Sequence, residues 1–162
     1  MRVVIIGGVA GGMSAATRLR RLREDAEIVV FEMGEHVSYA NCGLPYFVSD
    51  VISNRDDLLL QTPTSLWNRF RIEVRVNSKV TKIDRVSKTV SVEDMVTGEI
   101  SESSYDYLVI STGAKPRRLE IPGIERALTL RNVTDADQIK ARFAEIEKAS
   151  AVILGAGFIG IE

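Results

Sequence analysis

MRVVIIGGVAGG, Met1 to Gly12, sets a continuous apolar run, Val3-Val4-Ile5-Ile6, directly before a turn crowded with four glycines, Gly7, Gly8, Gly11 and Gly12. An unbroken β-branched run of this kind is the pattern of a strand buried on both faces, as in a parallel sheet. From Ala10 to about Arg23, Met13, Ala16, Leu19 and Leu22 recur at three-residue spacing with arginines between them, which predicts an amphipathic helix packed on that strand. Ile28 to Glu32 reads as a second strand. Strand, glycine turn, helix and strand within ~30 residues make a βαβ unit, whose crossover is expected to be right-handed.

The turn also carries chemistry. Gly7 and Gly12 set the register of a G-x-G-x-x-G motif, with Val9 where the middle glycine would stand. Glu32 lies 20 residues beyond Gly12, at the strand end where a carboxylate accepts hydrogen bonds from a ribose diol. A glutamate there favours an unphosphorylated adenosine ribose, such as that of FAD or NAD. Near the other end, Gly155-x-Gly157-x-x-Gly160 is a complete motif behind an expected buried strand, Ala151–Leu154. It predicts a second pyrophosphate site at a helix N-terminus. Its helix has hardly begun when the sequence stops, so the chain is expected to be an N-terminal fragment of something longer.

Between the two motifs, Asn41 is expected to cap a helix whose first turn holds Cys42, Gly43, Leu44 and Pro45, and Thr62-Pro63 to start another that runs to about Phe70. From Ile72 to Thr112 the apolar residues alternate (Ile72/Val74/Val76, Val80/Ile83, Val90/Val92, Tyr105/Leu108/Ile110), with breaks at Ser87-Lys88 and Thr97-Gly98. That predicts a three-stranded antiparallel meander followed by a return strand over 107–111. Thr134 is expected to cap a helix reaching about Lys148. The fold class is therefore α/β: a Rossmann-like βαβ unit with an inserted antiparallel meander, and the start of a second Rossmann-like unit.

Composition narrows the function. With 162 residues, 45% of them hydrophobic, the chain can build a core. Lys and Arg number 21 against 22 Asp and Glu, a formal charge of −1, so no basic field favours nucleic acid or an acidic membrane. No stretch approaches the ~18 apolar residues of a membrane span, and Gly7-Gly8 interrupts the N-terminal run too early for an export signal. A cytoplasmic protein is expected. One cysteine, Cys42, excludes an intrachain disulfide, and one histidine, His36, argues against a His/Cys metal cage, so no metal is expected. His36 itself reads as a surface residue.

Cys42 is the candidate for chemistry. At a helix N-terminus a thiolate is stabilised by the helix dipole and unpaired N–H groups. The alternative is a small buried hydrophobe. Phe47 stands five residues on, so the C-x4-C pair of dithiol flavin reductases is missing, as is C-x-x-C. If Cys42 does redox work, it pairs with a sulfur or oxygen from a ligand: a mixed disulfide, a persulfide or a sulfenic acid. Arg18 and Arg21, three apart on the first helix, share a face and could grip phosphates jointly, or be simply solvated.

Gly-Gly-Val-Ala-Gly-Gly at 7–12, Ser38-Tyr39-Ala40-Asn41-Cys42-Gly43-Leu44-Pro45-Tyr46, Ser111-Thr112-Gly113-Ala114-Lys115-Pro116 and the Gly155 motif occur in this order. In this the chain resembles the coenzyme A disulfide reductase, NADH oxidase and polysulfide (persulfide) reductase branch of the FAD-dependent pyridine nucleotide-disulfide oxidoreductases. The resemblance implies that residues 1–149 are the first segment of a discontinuous FAD-binding domain. Residues 150–162 would open the NAD(P)H-binding domain, with a C-terminal domain forming a homodimer. It places Gly7, Gly8 and Gly12 along the FAD pyrophosphate, Glu32 on the adenosine ribose, the Val80 backbone near the adenine, and Thr112, Gly113 and Arg131 close to FAD. Gly155, Gly157 and Gly160 would receive NAD(P)H. Cys42 would be the redox cysteine, and Ser14, Arg18, Arg21, Ser38 and Asn41 would contact coenzyme A. A lysine used for this ligand in some members matches Phe70 here, flanked by Arg69 and Arg71.

The function expected from these readings is electron transfer from NAD(P)H through FAD to Cys42, which reduces coenzyme A disulfide, a persulfide or polysulfide. The alternatives are an NADH oxidase or peroxidase cycling through a cysteine sulfenic acid, and a non-catalytic nucleotide-binding module.

Overall fold

The computed structural model of the chain describes residues 1–148 and 150–161, and contacts group them into two compact units. The first comprises Met1–Tyr39 and Leu59–Gly113, the second Ala40–Leu58 and Ala114–Glu162.

The first unit is built on a four-stranded parallel sheet of β1 (Arg2–Ile6), β2 (Glu27–Phe31), β3 (Ile72–Arg75) and, later in the chain, β7 (Tyr107–Ile110), in the order β3-β2-β1-β7. Val3 pairs with Ile28, Ile28 with Ile72 and Val4 with Leu108. The helix α1 (Ala10–Leu22) connects β1 to β2 as its periodicity predicts. On one face of the sheet Val3, Ile5, Ile28, Val30 and Ile72 pack against Met13 and Ala16 of α1 and against Leu66. On the other, Val4, Ile6, Val29 and Phe31 pack against Val90 and Val92. Those two valines belong to an antiparallel meander, β4 (Ser78–Asp84), β5 (Thr89–Asp94) and β6 (Ile100–Ser104). The meander thus covers the second face of the parallel sheet, which is why the β1 run is apolar at every position.

The meander differs from expectation in its membership. Residues 72–75 do not start it: they pair in parallel with β2, and the chain turns only at Asn77, whose φ is 51°. Alternation reports which face a residue occupies but not which neighbour its strand takes, so Ile72 and Val74 looked alike in either sheet. The missing third strand is β6, a run of Ile-Ser-Glu-Ser-Ser whose only buried residue is Ser103, too polar to register as a strand.

The second unit contains α2 (Leu44–Val48), α4 (Val133–Ala144) and a last turn, α5 (Phe158–Ile161), while α3 (Pro63–Phe70) lies in the first unit with the predicted Thr62 cap. The cap of α4 is Asn132, not Thr134. Asn132 Oδ1 accepts from the Asp135 amide at 2.8 Å, and the Asp135 carboxylate accepts from Asn132 in return. This reciprocal pair takes two orphan donors, which a threonine two positions later cannot do. The helix stops at Ala144 rather than Lys148. Beyond it Ile146 is half exposed, so no burial sustains another turn. Residues 151–154 form no strand: Val152, Ile153 and Leu154 are exposed, and among the described residues no strand pairs with them. A buried parallel strand requires neighbours on its edges. Among the described residues no helix is long and apolar enough to cross a membrane, and no cluster of His, Cys, Asp or Glu has the makings of a metal site.

Two aspartates hold the hairpin tips of the meander. Asp84 Oδ1 accepts from the amides of Val86 (2.9 Å) and Ser87 (3.0 Å), and Asp94 Oδ1 from those of Val96 (2.8 Å) and Thr97 (2.9 Å). These N–H donors hold both carboxyls below their ordinary value of 3.8. A carboxyl that titrates lower in the folded turn than in the unfolded chain adds stability above its ordinary value. That stability disappears as pH falls through the lower folded value. Thermal melts of the protein should therefore steepen in their pH dependence below about pH 4, and Asp84→Asn with Asp94→Asn should flatten that slope.

Candidate nucleotide turns and the cysteine turn

The first glycine turn is jammed. Gly7 follows β1 with φ 102°, in the left-handed region, and a Cβ on it would lie 2.2 Å from the Ser111 carbonyl oxygen at the end of β7. A Cβ on Gly12 would lie 1.8 Å from the carbonyl oxygen of Gly7 and 3.2 Å from Ile5 Cγ2. On Gly8 it would sit 3.0 Å from both Glu32 Cβ and Val37 Cγ2. Gly7 and Gly12 are therefore required where backbone meets backbone, while a side chain on Gly8 would press on Glu32 and Val37. Gly11 is different, since a Cβ there would meet only ordinary contacts with Ser111, at 3.6 Å and beyond.

Helix α1 leaves this turn with Val9 as N-cap, without a side-chain cap and without an acidic residue in its first turn. Its first N–H groups thus keep the exposed positive end that suits a phosphate. Val9 has φ −108° and ψ −129°, so no positive φ requires a glycine at this position. Glu32 follows β2 directly. Its Oε2 accepts from the Gly8 amide at 2.6 Å and its Oε1 from the Gly34 amide at 2.9 Å. Each oxygen keeps a lone pair, so this half-buried carboxylate has acceptor capacity left for a diol. The role of Gly8 in seating Glu32 was not legible in the motif. Ser38 joins the same cluster: its amide donates to the Gly8 carbonyl at 2.8 Å, and its own φ is 50°.

Of the other expected residues in this unit, Val80 packs at the edge of the meander-side core. Thr112 is exposed and Gly113 has φ 68°. Ser14, Arg18 and Arg21 are exposed along α1. The four arginines of that helix region divide cleanly. Arg20 donates to the carbonyls of Phe70 (2.8 Å), Arg71 (2.9 Å) and Glu24 (2.6 Å), and Arg23 pairs with Asp25, so both are used by the fold. Arg18 and Arg21 make no ion pair or side-chain hydrogen bond among the described residues.

In the second unit the second glycine turn repeats the first. Gly155 has φ 112°, and a Cβ on Gly160 would lie 2.2 Å from the Gly155 carbonyl and 3.3 Å from Ile153 Cγ2, matching the Gly12–Gly7–Ile5 contact. Gly157, the counterpart of Val9, meets open space. Its side of the turn is unobstructed, as a close approach by a phosphate needs.

Cys42 is exposed and lies in a single 3-10 turn, Asn41–Gly43, that leads into α2. Asn41 does not cap it. The N-cap is Ala40, and Asn41 Oδ1 is buried without a hydrogen-bond partner. A turn this short also lacks most of the dipole that the expected helix would have offered the thiolate. What places the turn is packing: a Cβ on Gly43 would be 3.0 Å from Leu58 Cδ2 and 3.3 Å from Ile52 Cδ1, and the Ala40 amide donates to the Leu58 carbonyl at 2.9 Å. Phe47, in the position a second redox cysteine would occupy, is buried in the core. Arg131 precedes α4, with its amide on the Asp135 carboxylate (2.8 Å) and its Nε on the Ala114 carbonyl (2.9 Å). His36 is half-buried.

Known proteins share these features. Residues 1–162 match the pyridine nucleotide-disulphide oxidoreductase family along their whole length. Coenzyme A disulfide reductase of Staphylococcus epidermidis is 35% identical over 161 residues, covering 99% of this chain and 36% of the relative. The crystal structure of reduced CoADR-RHD from Bacillus anthracis superposes with a TM-score of 0.95 at 48% identity, over 99% of this chain and 29% of that one. An NAD-dependent persulfide reductase from A. fulgidus gives a TM-score of 0.93 at 40% identity, over 99% and 30%. The chain thus spans about a third of the length of the proteins it matches.

The jam makes the glycines unequal. Gly12→Ala should cost about 3 kcal/mol or more, because the opposing atom is backbone and cannot give way. Gly11→Ala should instead raise stability by ~0.5–1 kcal/mol through helix propensity. Denaturant melts of the two variants check both signs.

Proposed function

The chain belongs to the pyridine nucleotide-disulphide oxidoreductase family, and from that premise we propose that it forms the flavin-binding, cysteine-bearing part of an NAD(P)H-dependent reductase of coenzyme A disulfide, persulfide or polysulfide. The observation that carries this reading is the exposed Cys42 beside the unpartnered, buried Asn41 Oδ1, with Phe47 filling the place of any second cysteine. Cys42 is the one cysteine of these 162 residues, and on this reading it takes its partner sulfur from the substrate.

The first turn fits FAD. Gly7 and Gly12 close the turn without a Cβ, the uncapped start of α1 would receive the pyrophosphate, and the Glu32 carboxylate would accept from the adenosine ribose. The Val80 backbone would lie near the adenine, and Thr112, Gly113 and Arg131 close to the flavin. Gly155, Gly157 and Gly160 would receive NAD(P)H in a domain that begins near residue 150, and a C-terminal domain would form the homodimer. Bound there, these cofactors supply two electrons at a time.

The residues of the chain handle the sulfur. The Cys42 thiolate attacks one sulfur of a disulfide RSSR', forming a Cys42–S–S–R bond as the S–S bond breaks and R'S− leaves. Two electrons and one proton then regenerate the thiolate and release RSH. Arg18 and Arg21, which make no ion pair or side-chain hydrogen bond among the described residues, would take the phosphates of a coenzyme A group, and Ser14 and Ser38 would contact it as well. Asn41, next to Cys42 in the same turn, would contact the pantetheine arm of that group.

Cys42→Ser should abolish reduction of coenzyme A disulfide while the protein keeps its flavin absorbance; full activity in that variant would end the reading. Asn41→Ala should raise KM for coenzyme A disulfide by about tenfold, leave KM for inorganic polysulfide unchanged, and not lower the melting temperature. Rapid peroxide or oxygen turnover with no action on either sulfur substrate would instead indicate the oxidase chemistry of a sulfenic acid.

A further inference from the structure

The Cys42 turn and α2 are too short to hold themselves: one 3-10 turn followed by five helical residues is well below the length at which a helix is stable alone. We propose that Lys140 and Asp137, one face of α4, are positioning residues that fix the cysteine turn from both ends. This rests on the redox reading of Cys42.

Lys140 acts on the C-terminal end of α2. Its Nζ donates to the Phe47 carbonyl at 3.0 Å and to Asp50, and it stands 4.4 Å from the centre of the Phe47 ring. A cation at the carbonyl end of a helix complements its dipole, and the ring adds a cation–π contact. Asp137 acts on the segment beneath the turn. Both its oxygens accept from Arg55 Nε, at 3.0 and 2.9 Å, and Arg55 Nη2 lies 2.9 Å from its Oδ2. Arg55 opens the short 3-10 segment Arg55–Leu58, and Leu58 is the residue on which Gly43 rests and to whose carbonyl the Ala40 amide donates. The two elements that flank the turn, α2 after it and Leu58 against Gly43 and Ala40, are thus tied to residues three apart on one helix, where side chains share a face. α4 is fixed at its start by the Asn132–Asp135 box, whose carboxylate also holds the amide of Arg131. One rigid helix therefore runs from the residue expected beside the flavin to the residues that seat the sulfur.

The test uses Lys140→Met, Lys140→Arg and Asp137→Asn in the flavin-loaded protein. Amide hydrogen exchange over residues 41–48 should speed up about tenfold in Lys140→Met and Asp137→Asn, with β1, α1 and the meander unchanged. The same two variants should lose about tenfold in kcat for coenzyme A disulfide with KM and flavin content unchanged, and Lys140→Arg should restore kcat to within about threefold. Unchanged exchange over 41–48 overturns the proposal, as does faster exchange with unchanged kcat, or exchange that rises equally throughout the chain. Full activity of Cys42→Ser would overturn the redox reading, and the positioning role with it, whatever the exchange shows; loss of activity in Cys42→Ser with unchanged exchange in Lys140→Met overturns the positioning role alone.

Discussion

Gly12 rests on the carbonyl of Gly7 so closely that a Cβ would stand 1.8 Å from its oxygen, and the first unit depends on that contact. It brings the first turn of α1 directly onto the end of β1, so the helix leaves the sheet at the angle that lays Met13 and Ala16 on Val3, Ile5, Ile28 and Val30. It also opens the N–H groups of the helix start beside the strand end where Glu32 stands, held by the Gly8 amide. The fold of this turn and its proposed phosphate site thus come from one absence of side chains. The same contact recurs between Gly160 and Gly155, which makes the second turn a copy of the first in backbone geometry while its middle position, Gly157, is free of Val9's bulk.

Most of the βαβ frame was legible because burial on both faces, helical period and glycine spacing are local signals. Arg2–Ile6, Ala10–Leu22 and Glu27–Phe31 emerged within a residue or so of expectation. What was not legible depends on pairing. Ile72–Arg75 had a strand's alternation, but its neighbour is β2, 44 positions upstream in every pair from Ile28–Ile72 to Phe31–Arg75, and no local pattern states that choice. β6 is nearly all serine and glutamate, stabilised by its ladder to β5 rather than by burial. The cap of α4 was misplaced because both Asn132 and Thr134 are capping residues, and only the reciprocal bond with Asp135 decides between them.

The site was legible unevenly for the same reason. Glycines reveal themselves by type, but Asn41 looked like a helix cap and is instead a buried acceptor with nothing to accept from. The spacing set Arg18 and Arg21 on one face of α1 but left open whether they were simply solvated. The structure separates Arg20, bonded to the end of α3, and Arg23, paired with Asp25, from Arg18 and Arg21. Cys42 is exposed, in a turn whose next residue, Gly43, packs on Leu58 and Ile52.

The central claim is that Cys42 takes its partner sulfur from the substrate. Mass spectrometry of the Cys42 peptide, after the flavin-loaded protein is treated with coenzyme A disulfide and quenched in acid, tests it directly. The account predicts one coenzyme A joined to Cys42 through a disulfide, lost again when NAD(P)H is added before the quench. A Cys42 peptide that stays unmodified throughout, or carries only oxygen, would contradict it.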